Sequence, residues 1–318
     1  MKVLVTGGAG FIGANLCREL LVRGHDVVVL DDLSTGLRSN LDGIGVRLRV
    51  ASVLHAGELA SACRGVDSIV HLAAVPSVTR SLENPRRSHD AIATGTVAVL
   101  DAAREIGAHV LVASSSSVYG SNPVLPRSED AVCMPSSPYA ASKLAAESYT
   151  IAYRASFGLE SLAFRFFNVF GPFQLAHHAY AAVVPKFIRA VLSGEPVTVH
   201  GDGEQSRDFT FVDSVVEVLA DGVSRRITSD TPVNLAFGTR TTVNELVALL
   251  ARVLDRPIEV AFAPPRTGDV RDSQAAGASM RRLFPLVEPV SLEAGLRRTV
   301  AWMQRSAQPL PASAGRPA

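Results

Sequence analysis

Short aliphatic and β-branched runs alternate along the chain with longer stretches whose apolar residues recur at helical spacing. The runs are KVLVTG from Lys2, DVVVLD from Asp26, VRLRVA from Val46, DSIVHLAA from Asp67, HVLVASSS from His109 and SLAFRFF from Ser161. Between them a helix is predicted from about Phe11. Ile92, Val99, Leu100 and Ala103 form one apolar stripe, and Leu144, Tyr149, Ile151 and Tyr153 form another behind the stretch SPYAASK. Strands of this kind, each followed by a helix, predict an α/β fold: a Rossmann-type, doubly wound parallel sheet with helices on both faces. Beyond about Gly171 the pattern loosens. FGPF, SGEP, GDGEQ and APPRTGD punctuate helices expected at Val243 to Leu254 and Leu292 to Met303. Residues 1–170 therefore read as a first, sheet-based domain and 171–305 as a smaller C-terminal lobe, with some segments returning to the first domain. The Pro/Ala-rich stretch 306–318 lacks periodicity and is expected to be disordered.

At 318 residues the chain exceeds the usual size of one core. Its 31 lysines and arginines nearly cancel 30 aspartates and glutamates. No global field then favours nucleic acid or an anionic membrane as partner, and a small-molecule substrate is expected. Cys17, Cys63 and Cys133 are widely spaced without metal-ligand patterning, so they read as free thiols in a reducing compartment, and no metal is expected. No signal-peptide pattern or membrane-length apolar run is present, and a soluble cytoplasmic protein is expected.

The first strand runs into TGGAGFIG, where Gly8, Gly10 and Gly13 satisfy G-x-G-x-x-G between a strand and a helix. Such glycines let a pyrophosphate approach the helix N-terminus, where free N–H groups and the dipole favour an anion. Asp31 ends the second strand about 20 residues on, where a carboxylate can hold the adenosine ribose hydroxyls. A 2′-phosphate would meet its charge, so NAD is favoured over NADP. In SPYAASK, Tyr139 and Lys143 stand four apart and share a helix face.

TGGAGFIG, LDDLSTG, HLAA, SSSSVYG, SPYAASK and RFFNVFGP occur in the order seen in extended short-chain dehydrogenase/reductases, and from Lys2 to about Met303 the chain resembles the nucleotide-sugar 4-epimerases among them. The resemblance implies a catalytic set of Ser115, Tyr139 and Lys143. Tyr139 would take the sugar O4 proton as the C4 hydride leaves, Ser115 would steady the same oxygen, and Lys143 would lower the Tyr139 pKa and hold the nicotinamide ribose. A free phenol titrates near pH 10, so a base near neutrality needs roughly 4 kcal/mol of differential stabilisation. The ketone would then turn and take the hydride back on its other face. The reaction is redox-neutral, so NAD would stay tightly bound.

For the cofactor, the resemblance further implies Gly7, Gly8, Gly10, Phe11, Ile12 and Gly13 at the first turn. It adds Asp31, Asp32, Ser34, Thr35 and Gly36 at the second strand end, Ser52 and Val53, then Leu72, Ala73 and Ala74, and Phe166. For a UDP-sugar it implies Ser77, Ser116, Ser117 and Asn168, with Val183, Val184, Lys186, Phe187 and Val199 towards the uracil. Arg207 and Arg266 would hold the phosphates, and Asp269 and Ser273 would lie near the sugar. Family members with tyrosine at the position of Ser273 are restricted to glucose and galactose, so a serine implies room for an N-acetyl group and turnover of UDP-GlcNAc/UDP-GalNAc beside UDP-Glc/UDP-Gal. A homodimer is implied too, through helices at about Asp90 to Ile106 and Pro138 to Phe157, with Ala141, Ala145 and Ala146 facing outward.

Ser52, Ile92 and Phe173 depart from the family pattern, where aspartate, asparagine and arginine are usual. His71 reads as a packed strand residue. A dehydratase would need an acid/base carboxylate pair where Ser116 and Ser117 stand. A UDP-glucuronate decarboxylase or epimerase stays open, because serines can partly serve a C6 carboxylate. A non-catalytic NAD-binding sensor would not need Ser115, Tyr139 and Lys143 intact.

Overall fold

The structure is a computed structural model that describes residues 1–176, 181–265 and 270–307. The chain opens with β1 (Lys2–Thr6), α1 (Phe11–Val22), β2 (Asp26–Asp31), β3 (Arg47–Val50), α2 (Ala56–Ala62) and β4 (Ser68–His71). Two short helices, α3 (Val78–Glu83) and α4 (Pro85–His89), lead through a π-turn at Asp90–Thr94 into α5 (Gly95–Ile106), β5 (His109–Ser115), α6 (Pro138–Phe157) and β6 (Ser161–Phe166). The remainder holds β7 (Asn168–Phe170), α7 (Val183–Leu192), β8 (Val197–His200), β9 (Ser206–Arg207), β10 (Phe209–Phe211) and α8 (Val212–Ser224). It continues with β11 (Val233–Leu235), β12 (Thr241–Thr242), α9 (Val243–Leu254), β13 (Val260–Ala263), α10 (Ala278–Leu283) and α11 (Leu292–Ala307).

Seven strands form one sheet in the order β11-β6-β5-β4-β1-β2-β3, every pairing parallel. Because side chains alternate along a strand, Val3, Val5, Val27 and Val29 enter one core while Leu4, Val28 and Leu30 enter the other. Strand order reverses between β1 and β4, which opens a crevice at their carboxyl ends. The seventh strand comes from beyond residue 171. β11 pairs with β6, and α8 packs on α1.

Three expectations are corrected. Ser306 and Ala307 continue α11 rather than beginning a disordered tail, and residues 308–318 lie outside the described residues. The apolar stripe read on α6 is not its buried face. The helix buries Ser142, Lys143, Glu147 and Thr150, while Tyr149 and Phe157 are exposed. Polar residues face the sheet there because each finds a hydrogen-bond partner, the condition for burying them. Among the outward alanines, Ala141 is exposed and Ala145 half-buried, but Ala146 is buried within the chain's own fold.

Candidate functional site

A cleft of about 380 Å³ lies over the β1/β4 switch point. Gly7 sits there at φ +72°, and a Cβ on it would stand 2.8 Å from the Ala73 nitrogen; one on Gly13 would stand 2.3 Å from the Gly7 oxygen. Gly10 caps α1 without a side chain, which leaves first-turn N–H groups free for an anion. Asp31, beside the glycine turn at the end of β2, accepts from the Ala9 nitrogen at 2.9 Å and the Leu33 nitrogen at 2.8 Å. Burial raises its pKa and these two bonds oppose the rise. Free backbone donors at the start of α1 and a carboxylate at the end of β2 suit a dinucleotide pyrophosphate and its adenosine ribose.

Every residue expected to hold the cofactor lines this cleft except Gly8 and Gly36. Those two pack behind it. A Cβ on Gly8 would meet Val29 at 2.7 Å, and one on Gly36 would meet the Ala9 backbone at 2.8 Å. The three family departures are accommodated differently. Ser52 lines the cleft and accepts from the Leu54 nitrogen at 3.2 Å. Ile92 is buried in the π-turn, where an apolar side chain needs no partner. Phe173, at φ +68°, places its ring 5.3 Å from that of Trp302, with the Arg18 guanidinium 4.3 Å from its centroid. Sequence reasoning missed Asn40, Val75, Pro76, Gln174 and Leu175 in the cleft wall; Asn40 sits in a single 3₁₀ turn at Arg38–Leu41 and the others on loops, none with a readable periodicity.

Ser115, Tyr139 and Lys143, the residues expected to be catalytic, converge in the same wall. Helix α6 starts at Ser137, whose hydroxyl accepts from the Ala140 nitrogen at 3.2 Å, with Pro138 in the first turn. That start aims Tyr139 and Lys143 at the end of β5. Tyr139 and Ser115 both line the cleft, where the Ser115 hydroxyl acts on the phenol, and Ser115 Oγ accepts from the Ser117 nitrogen at 3.2 Å. Lys143 Nζ donates to the Ala113 carbonyl at 2.7 Å, and burial pushes its pKa down to about 8. The Tyr139 phenol is raised, against the expectation that Lys143 lowers it. Desolvation dominates, the Ser115 hydrogen bond opposes it, and the lysine ammonium is directed at a carbonyl instead. His71 is a packed strand residue, with Nδ1 2.7 Å from Thr6 Oγ1 and Nε2 3.2 Å from Thr96 Oγ1; burial, then the Lys143 charge, lower its pKa to about 3.

A second cavity of about 230 Å³ adjoins the first, with Val169 in both walls. Asn168, Val183, Val184, Lys186, Phe187, Val199 and Arg207 line it, together with Thr198, His200 and Gln205, which sequence reasoning missed. Arg207 Nη1 donates to the carbonyls of Ser206 at 2.9 Å and Arg271 at 3.0 Å. Ser77, Ser116, Ser117 and Ser273 line neither cavity. Ser77 caps α3, accepting from the Arg80 nitrogen at 3.3 Å, and the Ser273 nitrogen donates to the Ser206 carbonyl at 3.1 Å. Arg266 and Asp269 lie outside the described residues. Among the described residues no cluster of His, Cys, Asp and Glu could hold a metal, the three cysteines are free thiols, and no helix is long and apolar enough to cross a membrane.

A family model described as the NAD dependent epimerase/dehydratase family matches residues 3–227. The chain is 38% identical to UDP-glucose 4-epimerase of Mycolicibacterium smegmatis, over 97% of this chain and all of that one. It is 31% identical to UDP-glucuronic acid decarboxylase 1 of Danio rerio, over 96% of this chain and 73% of that one. Among solved structures, UDP-N-acetylglucosamine 4-epimerase from Methanobrevibacter ruminantium M1, in complex with UDP-N-acetylmuramic acid, matches with a TM-score of 0.91. The identity is 34%, covering 96% of this chain and 98% of that one.

Proposed function

The chain belongs to the NAD dependent epimerase/dehydratase family, and from that premise we propose that it is a UDP-hexose 4-epimerase acting on UDP-GlcNAc/UDP-GalNAc as well as UDP-Glc/UDP-Gal. The observation that carries this reading is the convergence of Ser115, Tyr139 and Lys143 in the wall of a dinucleotide-shaped cleft, next to a cavity bearing Lys186 and Arg207. Gly7, Gly10, Gly13 and Asp31 would hold the cofactor.

Bound NAD supplies the hydride acceptor and donor at the sugar C4 and, when oxidised, a positive ring. Tyr139 takes the O4 proton and returns it, and Ser115 holds that oxygen while the 4-keto sugar presents its other face. Lys143, with its pKa near 8, stays largely protonated at neutral pH and carries its charge in the same cleft wall. Arg207 and Lys186 suit a diphosphate, the arginine by its forked donors. Among the described residues the carboxylates in the two cavity walls are Asp31 and Asp32, both at the glycine-turn end. None stands beside Ser115, where a dehydratase would need a general acid or base.

The test is incubation of NAD-supplemented protein with UDP-Glc, UDP-GlcNAc and UDP-glucuronate, with sugar nucleotides resolved by chromatography and proton NMR. Epimers of the first two are expected, and Tyr139→Phe should lower turnover about 10²- to 10⁴-fold. Loss of carbon dioxide from UDP-glucuronate without epimerisation of the hexoses would replace the reading with the decarboxylase one. Bound NAD with no turnover of any sugar would favour the sensor.

A homodimer belongs to the same proposal. Tyr149 and Phe157 on α6, Ile106 on α5, and Val78 and Leu82 on α3 are exposed apolar residues on helices packed side by side. Clustered apolar exposure of this kind suits a second copy of the chain.

A further inference from the structure

Helix α6 is joined to the end of β5 by contacts on three consecutive strand residues, two of them buried and the third half-buried. Lys143 Nζ meets the Ala113 carbonyl, Tyr139 meets Ser115, and between them Ser114 Oγ donates to Glu147 Oε2 at 2.9 Å. Tyr139, Lys143 and Glu147 stand at i, i+4 and i+8, one helix face. Glu147 in turn takes two bonds from Arg165 of β6, Nε to Oε2 at 2.9 Å and Nη2 to Oε1 at 2.6 Å, and Arg165 is the register partner of Ser114. Both side chains of this pair are less than 5% exposed: 4% for Arg165 and 3% for Glu147.

The guanidinium continues away from the helix. Nη1 donates to Tyr119 Oη at 2.9 Å, and that hydroxyl donates to Asn234 Oδ1 at 2.6 Å. Asn234 Nδ2 donates to the Arg127 carbonyl at 2.8 Å. The same carbonyl accepts from the Ala276 nitrogen at 2.8 Å, and the Arg127 nitrogen donates to the Gln274 carbonyl at 2.7 Å. A chain of buried bonds thus runs from the helix bearing Tyr139 to the segment bearing Ser273. A buried ion pair is a weak source of stability, since desolvation offsets its attraction, and its best-supported use is to fix one arrangement of packed elements.

We propose that Arg165 and Glu147 are positioning residues for the transfer chemistry, holding Tyr139 and Lys143 in register with Ser115, and that Tyr119 ties this register to residues 271–276. The proposal rests on the 4-epimerase reading for its kinetic readout but not for its structural one. An error of about 1 Å at a reacting group is enough to cost on the order of 10²-fold in rate.

The experiment compares wild type, Tyr139→Phe, the double variant Glu147→Met with Arg165→Met, and Tyr119→Phe. Turnover by wild type and its loss in Tyr139→Phe establish the reading first. The double variant removes both charges together, so neither is left buried without its counter-ion, while Ser114 and Tyr119 each lose one hydrogen bond. It is expected to melt within a few degrees of wild type, keep the sugar KM within two-fold and lose at least ten-fold in kcat, with faster amide exchange over residues 139–147. A kcat within two-fold of wild type, or unchanged exchange, overturns the proposal. If the double variant does not fold, Tyr119→Phe decides. This change deletes one hydroxyl and should lower kcat at least three-fold at unchanged KM, and an unchanged kcat overturns the proposal. If wild type turns over no UDP-sugar, the epimerase reading falls and amide exchange alone decides the positioning role.

Discussion

The Lys143 ammonium donates to the Ala113 carbonyl at 2.7 Å from a position 5% exposed, so the helix that delivers it holds a charge against the edge of the core. Burial sets the Lys143 pKa at about 8, below the ordinary 10.5. Below pH 8 the folded and unfolded chains both carry this proton, and the desolvation cost, about 3 kcal/mol, is fully present. Between pH 8 and 10.5 the folded state releases it first, the unfolded state binds more protons, and stability rises with pH. Lys143→Met should therefore be no less stable than wild type at pH 7 while losing turnover. Its advantage in melting temperature should shrink from pH 8 to 10.5, measured by thermal melts across that range. A variant that melts well below wild type at pH 7 would contradict this.

Asp31 is proposed to govern the choice of dinucleotide. Two backbone amides hold its carboxylate in the cleft wall, beside Asp32. A 2′-phosphate would meet this negative end, so NAD should bind at least ten-fold more tightly than NADP by calorimetry. Asp31→Asn should narrow that ratio chiefly by weakening NAD, and equal affinities in wild type would refute the assignment.

Ser273 is half-buried on the segment that β9 and Arg127 hold in place. If it borders the sugar's C2 substituent, Ser273→Tyr adds a phenol where an N-acetyl group must fit. Overpacking of about 1–3 kcal/mol corresponds to roughly 5- to 150-fold. Turnover of UDP-GlcNAc should fall by that factor while UDP-Glc is spared, and equal losses on both would show that the residue does not set pocket width.

Light scattering at micromolar concentration should return about twice the chain mass of 33.6 kDa. Tyr149→Glu, on the exposed apolar face of α6, should shift it towards the monomer. A wild-type monomer would remove the dimer from the proposal.

Local pattern alone determined a good deal here. Six parallel strands, the glycine turn, Asp31, and the Tyr139/Lys143 helix with its Ser137 start were legible because each depends on residues within a turn or a strand of one another. Tertiary structure decided the rest. β11 is three residues long and becomes a strand only because β6 offers its edge. The buried face of α6 is polar, which apolar periodicity reads backwards, since Lys143 and Glu147 are buried by partners on β5 and β6 that no helical spacing reveals. The raised Tyr139 pKa follows the same rule. A motif places a lysine one turn away, but where that ammonium points, and how dry the phenol is, depend on what the whole chain packs around them.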